Sequence, residues 1–325
     1  MEALALTEVV DRGTGLTLRL VQDVADACAD SRSPRTRALY ARAWRRFVAF
    51  CGTQDKCSPL PAKPETVAAF VVSRYHEGAA RNSIALELVA VSVAHTEAGH
   101  DSPRESRIVR RAWQGVCRWY ARDGRATVRR VAPMTSDIVR AAVRAAPATT
   151  AGLRDRALLL ILFGAALRRS ELVALDVADL RLEDAGLWVH LARSKTDQGG
   201  AGADIYIHAG KSAAACPVAA VRAWLEASGV TSGPVFRRVR RGGVVGTERL
   251  DPGTVARIVK AHVQAQGLDA STFSGHSGRA GFATSASDAG ASMPAIALTT
   301  RHRSLTVLAS YCRASDLRRQ TVRVL

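Results

Sequence analysis

The run Ala157–Leu167 contains no charged or hydrogen-bonding side chain. A helix through it is apolar almost all the way round, so it must be buried on every side. It is also too short to cross a bilayer, which takes about 20 apolar residues. It therefore marks the middle of a globular domain, and the spacing predicts a helix over 152–167. The run ends abruptly in Arg168-Arg169-Ser170-Glu171. An arginine at the end of so buried an element is held on a rigid support.

The sequence around this segment is mixed α and β. Ser136 is placed to cap a helix running to Ala146. Leu187–Leu191 alternates as a strand, and Ile205–His208 is placed to pair with it. The intervening polar stretch, with Gly199, Gly200 and Gly202, makes the tip of a hairpin. Pro234–Val245 reads as a second hairpin turning at Gly242 and Gly243, after a helix over 217–227. Further helices are expected over 252–266, 278–289, 294–298 and 305–314.

The first half is helical throughout. Pro34 opens a helix reaching Phe50, with Arg35, Arg42, Arg45 and Arg46 gathered away from its apolar face. Helices over 65–75 and 82–95 follow, the second stopping near Gly99. It is the expected groove-reading element, with Arg81, Asn82 and Glu87 as its candidate base contacts. From Arg104 to Arg122 the arginines at 104, 107, 111, 118 and 122 lie in one stripe about 60° wide at 100° per residue. No acid interrupts the stripe. Ile108, Ala112, Trp113, Val116, Trp119 and Tyr120 take the other side. A solvated basic face is the ordinary reading of such a stripe; its unbroken run of arginines favours a surface that follows phosphates.

The chain carries a formal net charge of +17. The excess is not in residues 1–31, an expected acidic tail with six acids against two bases. It lies in the body, where arginine predominates and lysine is scarce, and arginine is the side chain suited to bidentate phosphate contact. That balance implies a polyanionic partner, nucleic acid before others. The divisions expected are a tail over 1–31, a helical unit over 32–123, a basic linker over 124–133 and a second unit over 134–325. The six cysteines show no C-x-x-C pair and complete no metal site with histidine. Glu2, Glu8, Asp11 and Arg12 interrupt any signal-peptide core, so a cytoplasmic, non-membrane protein with reduced thiols is expected.

Four separated segments carry polar residues that the folding pattern does not require: Leu167-Arg168-Arg169-Ser170-Glu171, Ser194-Lys195-Thr196-Asp197, His276-Ser277-Gly278-Arg279, and Thr300-Arg301-His302 followed by Tyr311. Each alone has an ordinary explanation: a helix-end arginine, a solvated loop lysine, a structural histidine, a packed tyrosine. In this order they resemble the tyrosine recombinase (phage integrase) family, whose signature is Arg…Lys…His-x-x-Arg…His/Trp…Tyr. The run Ser274–Arg279 and the helical first half are most similar to its Cre-like branch.

The resemblance implies a mostly α fold with small β-sheets or hairpins. A helical core-binding domain would precede an α+β catalytic domain. It implies an enzyme that cleaves and rejoins DNA through a 3′-phosphotyrosyl link. Tyr311 would be the nucleophile, and Arg168 and Arg279 would bind the non-bridging oxygens. His302 would add a hydrogen bond, His276 would assist the proton transfer, and Lys195 would protonate the leaving oxygen, with Lys211 a distant substitute. Glu171 would be the supporting acid. No cofactor or metal is implied. Double-stranded DNA is the implied partner. The fourteen residues after Tyr311 would dock into a neighbour in a homotetramer on two DNA sites. Ala166 and Arg301 stand where relatives usually have glycine, and Gly278 where many have leucine. The alternatives are a type IB topoisomerase, which would relax DNA without a special site, and a non-catalytic DNA-binding protein.

Overall fold

The computed structural model describes residues 17–55, 57–126, 131–192, 202–302, 304 and 308–309. Tyr311 and Lys195 lie outside these residues. The chain divides into two compact units, Met1–Arg129 and Arg130–Leu325.

The first unit is helical: α1 (Leu18–Asp30), α2 (Pro34–Gly52), α3 (Pro64–His76), α4 (Arg81–Glu97) and α5 (Arg107–Arg122). Thr17, Ser33 and Ser106 each cap the next helix by accepting a backbone N–H with the side-chain oxygen. Phe47, Phe70, Ile84, Val91, Val116 and Tyr120 build the core. Residues 18–30, expected as part of an acidic tail, form an amphipathic helix that buries Val21 and Ala25. The helix expected from Arg104 is broken at Ser106, where a short 3-10 turn over Pro103–Glu105 ends. His95 is buried and ties two segments together. Its Nε2 accepts from Ala62 N at 2.8 Å, and its Nδ1 donates to Val91 O at 2.7 Å.

The second unit contains α6 (Ser136–Ala145), α7 (Thr150–Gly164), α8 (Arg169–Ala174), β1 (Leu180–Leu182), β2 (Gly186–Leu191), β3 (Ala203–His208), α9 (Pro217–Ser228), β4 (Arg237–Val239), β5 (Val245–Arg249), α10 (Pro252–Gln264), α11 (Ser277–Asp288) and α12 (Met293–Thr300). The helix α7 is the buried centre the composition requires, with Leu158, Leu159, Ile161 and Leu162 fully enclosed. Three antiparallel strands in the order β1-β2-β3 form one sheet, with Trp188 opposite Tyr206 and Val189 opposite Ile205. A two-stranded ribbon, β4-β5, forms the second. Ser136 sits inside α6 rather than capping it; the N-cap is Thr135.

Of the expected linker over 124–133, residues 127–130 lie outside the described residues, and each described end packs on its own unit. Arg125 stacks on Tyr75 and Tyr120, at 5.2 and 5.0 Å from the ring centroids. On the other side, Ala132 N donates to Thr272 O and Met134 N to Ser277 O. No described helix is long and apolar enough to cross a membrane.

Candidate active site

The site is organised by the turn that ends α7. The helix stops at Gly164, and Ala166 takes a left-handed conformation with φ 48°. Leu167 N then donates to Leu162 O at 3.1 Å and Ala166 N to Phe163 O at 2.9 Å, the paired bonds that close a helix C-terminus around a left-handed residue. Glycine is usual there. Alanine accepts that conformation at a cost of about 1 kcal/mol.

The turn aims the next residues. Arg168 was expected at the end of the long helix; it lies instead past the turn, as the N-cap residue of α8. Its backbone N–H donates to Glu171 Oε2 at 2.9 Å, and its guanidinium Nη1 donates to Glu171 Oε1 at 2.5 Å. Arg279, from the first turn of α11, donates Nη1 to Ala166 O at 2.9 Å. Arg301, at the end of α12, donates Nη1 to Ala165 O at 3.2 Å and Nη2 to Glu171 Oε2 at 2.9 Å. Three guanidiniums from three elements are thus referred to residues 165–171.

His302 follows Arg301 directly. Burial, and then the positive charges of Arg279, Arg168 and Arg301, push its imidazole down to a pKa of about 4. Its tautomer follows from its neighbour. Thr300 Oγ1 donates to Ile296 O at 2.7 Å, so that oxygen offers a lone pair to His302 Nδ1 at 2.8 Å. With Thr300 Oγ1 accepting, the proton of the neutral ring sits on Nδ1, and Nε2 then carries one when the ring is charged. His276 occupies the N-cap position of α11 with its side chain exposed. Its backbone N–H is held by Ser274 Oγ at 3.1 Å.

Glu171 is buried, with 3% of its side chain exposed. Burial pushes its carboxyl up; the Arg168 backbone N–H and the Arg301 and Arg168 charges outweigh that and hold it below the ordinary range. Gly278 has a packing reason. A β-carbon there would lie 2.9 Å from Leu162 Cγ, so glycine lets α11 approach α7. The expected site residues Arg168, Glu171, Arg279 and His302 are therefore drawn together, with His276 one helical turn from Arg279. Thr300 and Arg301 belong to the same cluster but carried no expected role. Their only sequence signal was their place inside the Thr-Arg-His motif.

The arginines named from the first unit are exposed: Arg35, Arg42, Arg45, Arg46, Arg81, Arg104, Arg107, Arg111, Arg118 and Arg122, with Asn82 beside them. Arg104 lies on the 3-10 turn rather than on α5. Glu87 does not fit a groove contact. It is 1% exposed and accepts from Arg46 Nη1 and Arg74 Nε, each at 3.0 Å. Ile108 also departs from its expected buried face: it is 43% exposed. With Val72, Arg107, Arg111, Ala112, Gly115 and Trp119 it lines a groove between α3 and α5.

A fold of this topology with this cluster defines the class. Residues 133–318, more than half of the chain, match the phage integrase family, and the chain belongs to it. It is a site-specific recombinase of the tyrosine type. Among relatives, it is 32% identical over 296 residues to an integrase/recombinase xerD homolog of Selenomonas ruminantium, covering 88% of this chain and 84% of that one. It is 24% identical over 300 residues to the recombinase cre of Escherichia phage P1, covering 87% and 85%. Its fold is similar to that of a lambda integrase tetramer bound to a Holliday junction, with TM-score 0.57, 19% identity, and 94% and 80% of the two chains covered.

Proposed function

We propose that the chain cuts one DNA strand by attack of the Tyr311 phenol oxygen on a phosphodiester. The phosphorus–O5′ bond breaks and a 3′-phosphotyrosyl link remains. Lys195 gives its proton to the leaving 5′ oxygen, and His276 takes the phenol proton. The 5′-hydroxyl of a second strand then reverses the attack, so strands are exchanged with no outside energy source. Arg168 and Arg279 hold the non-bridging oxygens. The observation that carries this reading is the convergence of Arg168 and Arg279 on one turn, close enough to His302 that its burial and then their charges lower the imidazole pKa to about 4. With the Glu171 carboxylate set against three guanidiniums, the cluster keeps an excess of positive charge that a phosphate balances.

The direct test is a nicked duplex that traps the covalent product, drawn from DNA flanking the chain's own gene. A covalent adduct on a denaturing gel is expected, with the phosphate mapping to the peptide that contains Tyr311. Tight, salt-sensitive binding with no adduct on any fragment would favour the non-catalytic alternative.

His302 donates to the phosphate only as imidazolium, so the anion must raise its pKa from about 4. Below that value the ring is charged in the free protein; above it the proton must come with the DNA. The ratio of wild-type to His302→Trp cleavage rates is therefore expected to fall as pH rises, because an indole N–H donates without titrating. A ratio that stays constant from pH 5 to pH 9 would remove His302 from the proton inventory.

The exposed arginines of α5 contact phosphates in this reading. Arg118→Gln and Arg122→Gln should each lower the slope of log binding constant against log salt by about 0.9, uniformly across DNA sequences. Filter binding from 50 to 200 mM salt measures it. Loss of affinity for one sequence alone would mean base reading instead.

The residues after Tyr311, where Leu317, Val322 and Leu325 alternate with arginines, dock in a neighbouring protomer and close a tetramer on two DNA sites. The lambda integrase of similar fold, a tetramer on a Holliday junction, supports the tetramer. The enzyme works on DNA in the cytoplasm, at the nucleoid.

A further inference from the structure

Arg301 belongs to no part of the reaction described above, yet it is placed at considerable conformational cost. It caps α12 in the left-handed region, with φ 53°, a conformation disfavoured for any residue with a side chain. Only 12% of its side chain is exposed. Its Nη1 closes the carbonyls of Thr299 and Ala165, and its Nη2 donates to Glu171 Oε2 at 2.9 Å. Its Nε is buried with no hydrogen-bond partner among the described residues.

Glu171 has two guanidiniums on it, and they are not equivalent. Arg168 Nη1 is on Oε1, while Oε2 takes the Arg168 backbone N–H and Arg301 Nη2. The guanidinium of Arg168 must serve the phosphate during the reaction. To the extent that it turns from the carboxylate, a nearly fully buried anion loses a partner, and an uncompensated buried charge is strongly unfavourable. Arg301 is tied to main-chain carbonyls on both sides and stays where it is.

We propose that Arg301 is a positioning residue that holds the Glu171 carboxylate in place of Arg168, so that the Arg168 guanidinium is free to move onto the scissile phosphate. The proposal rests on the reading that Arg168 binds that phosphate. It differs from a simple structural brace because it predicts that Arg301 and Glu171 depend on each other during cleavage. Removing Arg301 leaves Glu171 holding Arg168 back. Removing the Glu171 charge leaves Arg301 buried without its anion. Removing both leaves neither group stranded.

The test is a double-mutant cycle on adduct formation with the nicked duplex, using the full chain, with DNA affinity and melting temperature measured beside it. Arg301→Gly is chosen because glycine accepts the left-handed backbone without strain. It is expected to cleave about 10- to 100-fold more slowly than wild type while binding DNA within about threefold. Glu171→Gln is expected to be slowed comparably. The double variant should be faster than the product of the two deficits predicts, by at least about tenfold. Deficits that simply multiply, or Arg301→Gly cleaving at the wild-type rate, would overturn the proposal. Should Arg301→Gly lose its folded state, Arg301→Lys and Arg301→Gln carry the comparison. A faster rate for lysine at matched melting temperature supports the counter-charge, and equal rates overturn it. Failure of the underlying phosphate reading would look different: Arg168→Ala would then cleave normally, whatever the cycle gave.

Discussion

A Tyr311→Phe protein is expected to form no covalent adduct on any nicked duplex, while binding DNA about as tightly as wild type. The asymmetry follows from what the hydroxyl does. In binding it offers at most one hydrogen bond, worth about 0.5–1.5 kcal/mol, against the summed attraction of many phosphates to a chain of net charge +17. In the reaction it supplies the atom that bonds to phosphorus, and phenylalanine has none to offer. Water in place of the phenol would give free ends rather than a protein-linked strand. The measurement is a denaturing gel beside an equilibrium titration at the same salt. An adduct that survives the substitution would place the nucleophile elsewhere, and equal loss of binding and adduct would make Tyr311 a folding residue.

The second large effect concerns stability. Gly281→Ala is expected to destabilise the second unit by about 2–4 kcal/mol, because the added methyl is forced into a packed interior. A β-carbon at Gly281 would lie 1.9 Å from Met134 O and 2.3 Å from Met134 C. Both neighbours are main chain and cannot rotate away. The segment containing Met134 is held against α11 by Met134 N donating to Ser277 O and Ser136 N donating to Ser285 Oγ, each at 2.9 Å. Displacing it breaks these bonds as well. The melting temperature should fall by roughly 5–15 °C. Gly115→Ala is the contrasting case. It lies on α5 with nothing within 4 Å of its β-carbon, so it should stabilise by about 0.5–1 kcal/mol through helix propensity. Equal effects at the two positions would show that close approach of main chain is not what glycine provides at 281.

What could be read from the chain alone follows the range of the interactions involved. The alternation of Leu187, Val189 and Leu191 located β2, and the pairing with β3 came with it. The all-round apolar character of Leu158–Leu162 located the core helix. Both signals are local. The end of α7 was misjudged because Gly164, Ala165 and Ala166 are as compatible with a helix as with the turn they form. What stops the helix is the left-handed Ala166, and no periodicity reveals a single backbone angle. β1 went unseen because Leu180–Leu182 is too short to show alternation. Glu87 was read as a candidate base contact, a role that needs the exposure carboxylates usually have. Its burial depends on Arg46 and Arg74, which come from two other helices. The motif residues were recognisable as a set; the sharing of Glu171 by Arg168 and Arg301 required the fold.

The turn over 165–167 has a consequence for how the site behaves when the protein fluctuates. Arg279 and Arg301 are both bonded to its carbonyls, and Arg168 is its direct continuation. A displacement of the turn is therefore common to all three guanidiniums: it carries them together and leaves their mutual spacing nearly unchanged. Thermal motion of the support then acts as a rigid translation of one cationic frame, which a flexible DNA backbone can follow. Only a side-chain motion, such as the Arg168 guanidinium leaving Glu171, changes the spacing within the frame.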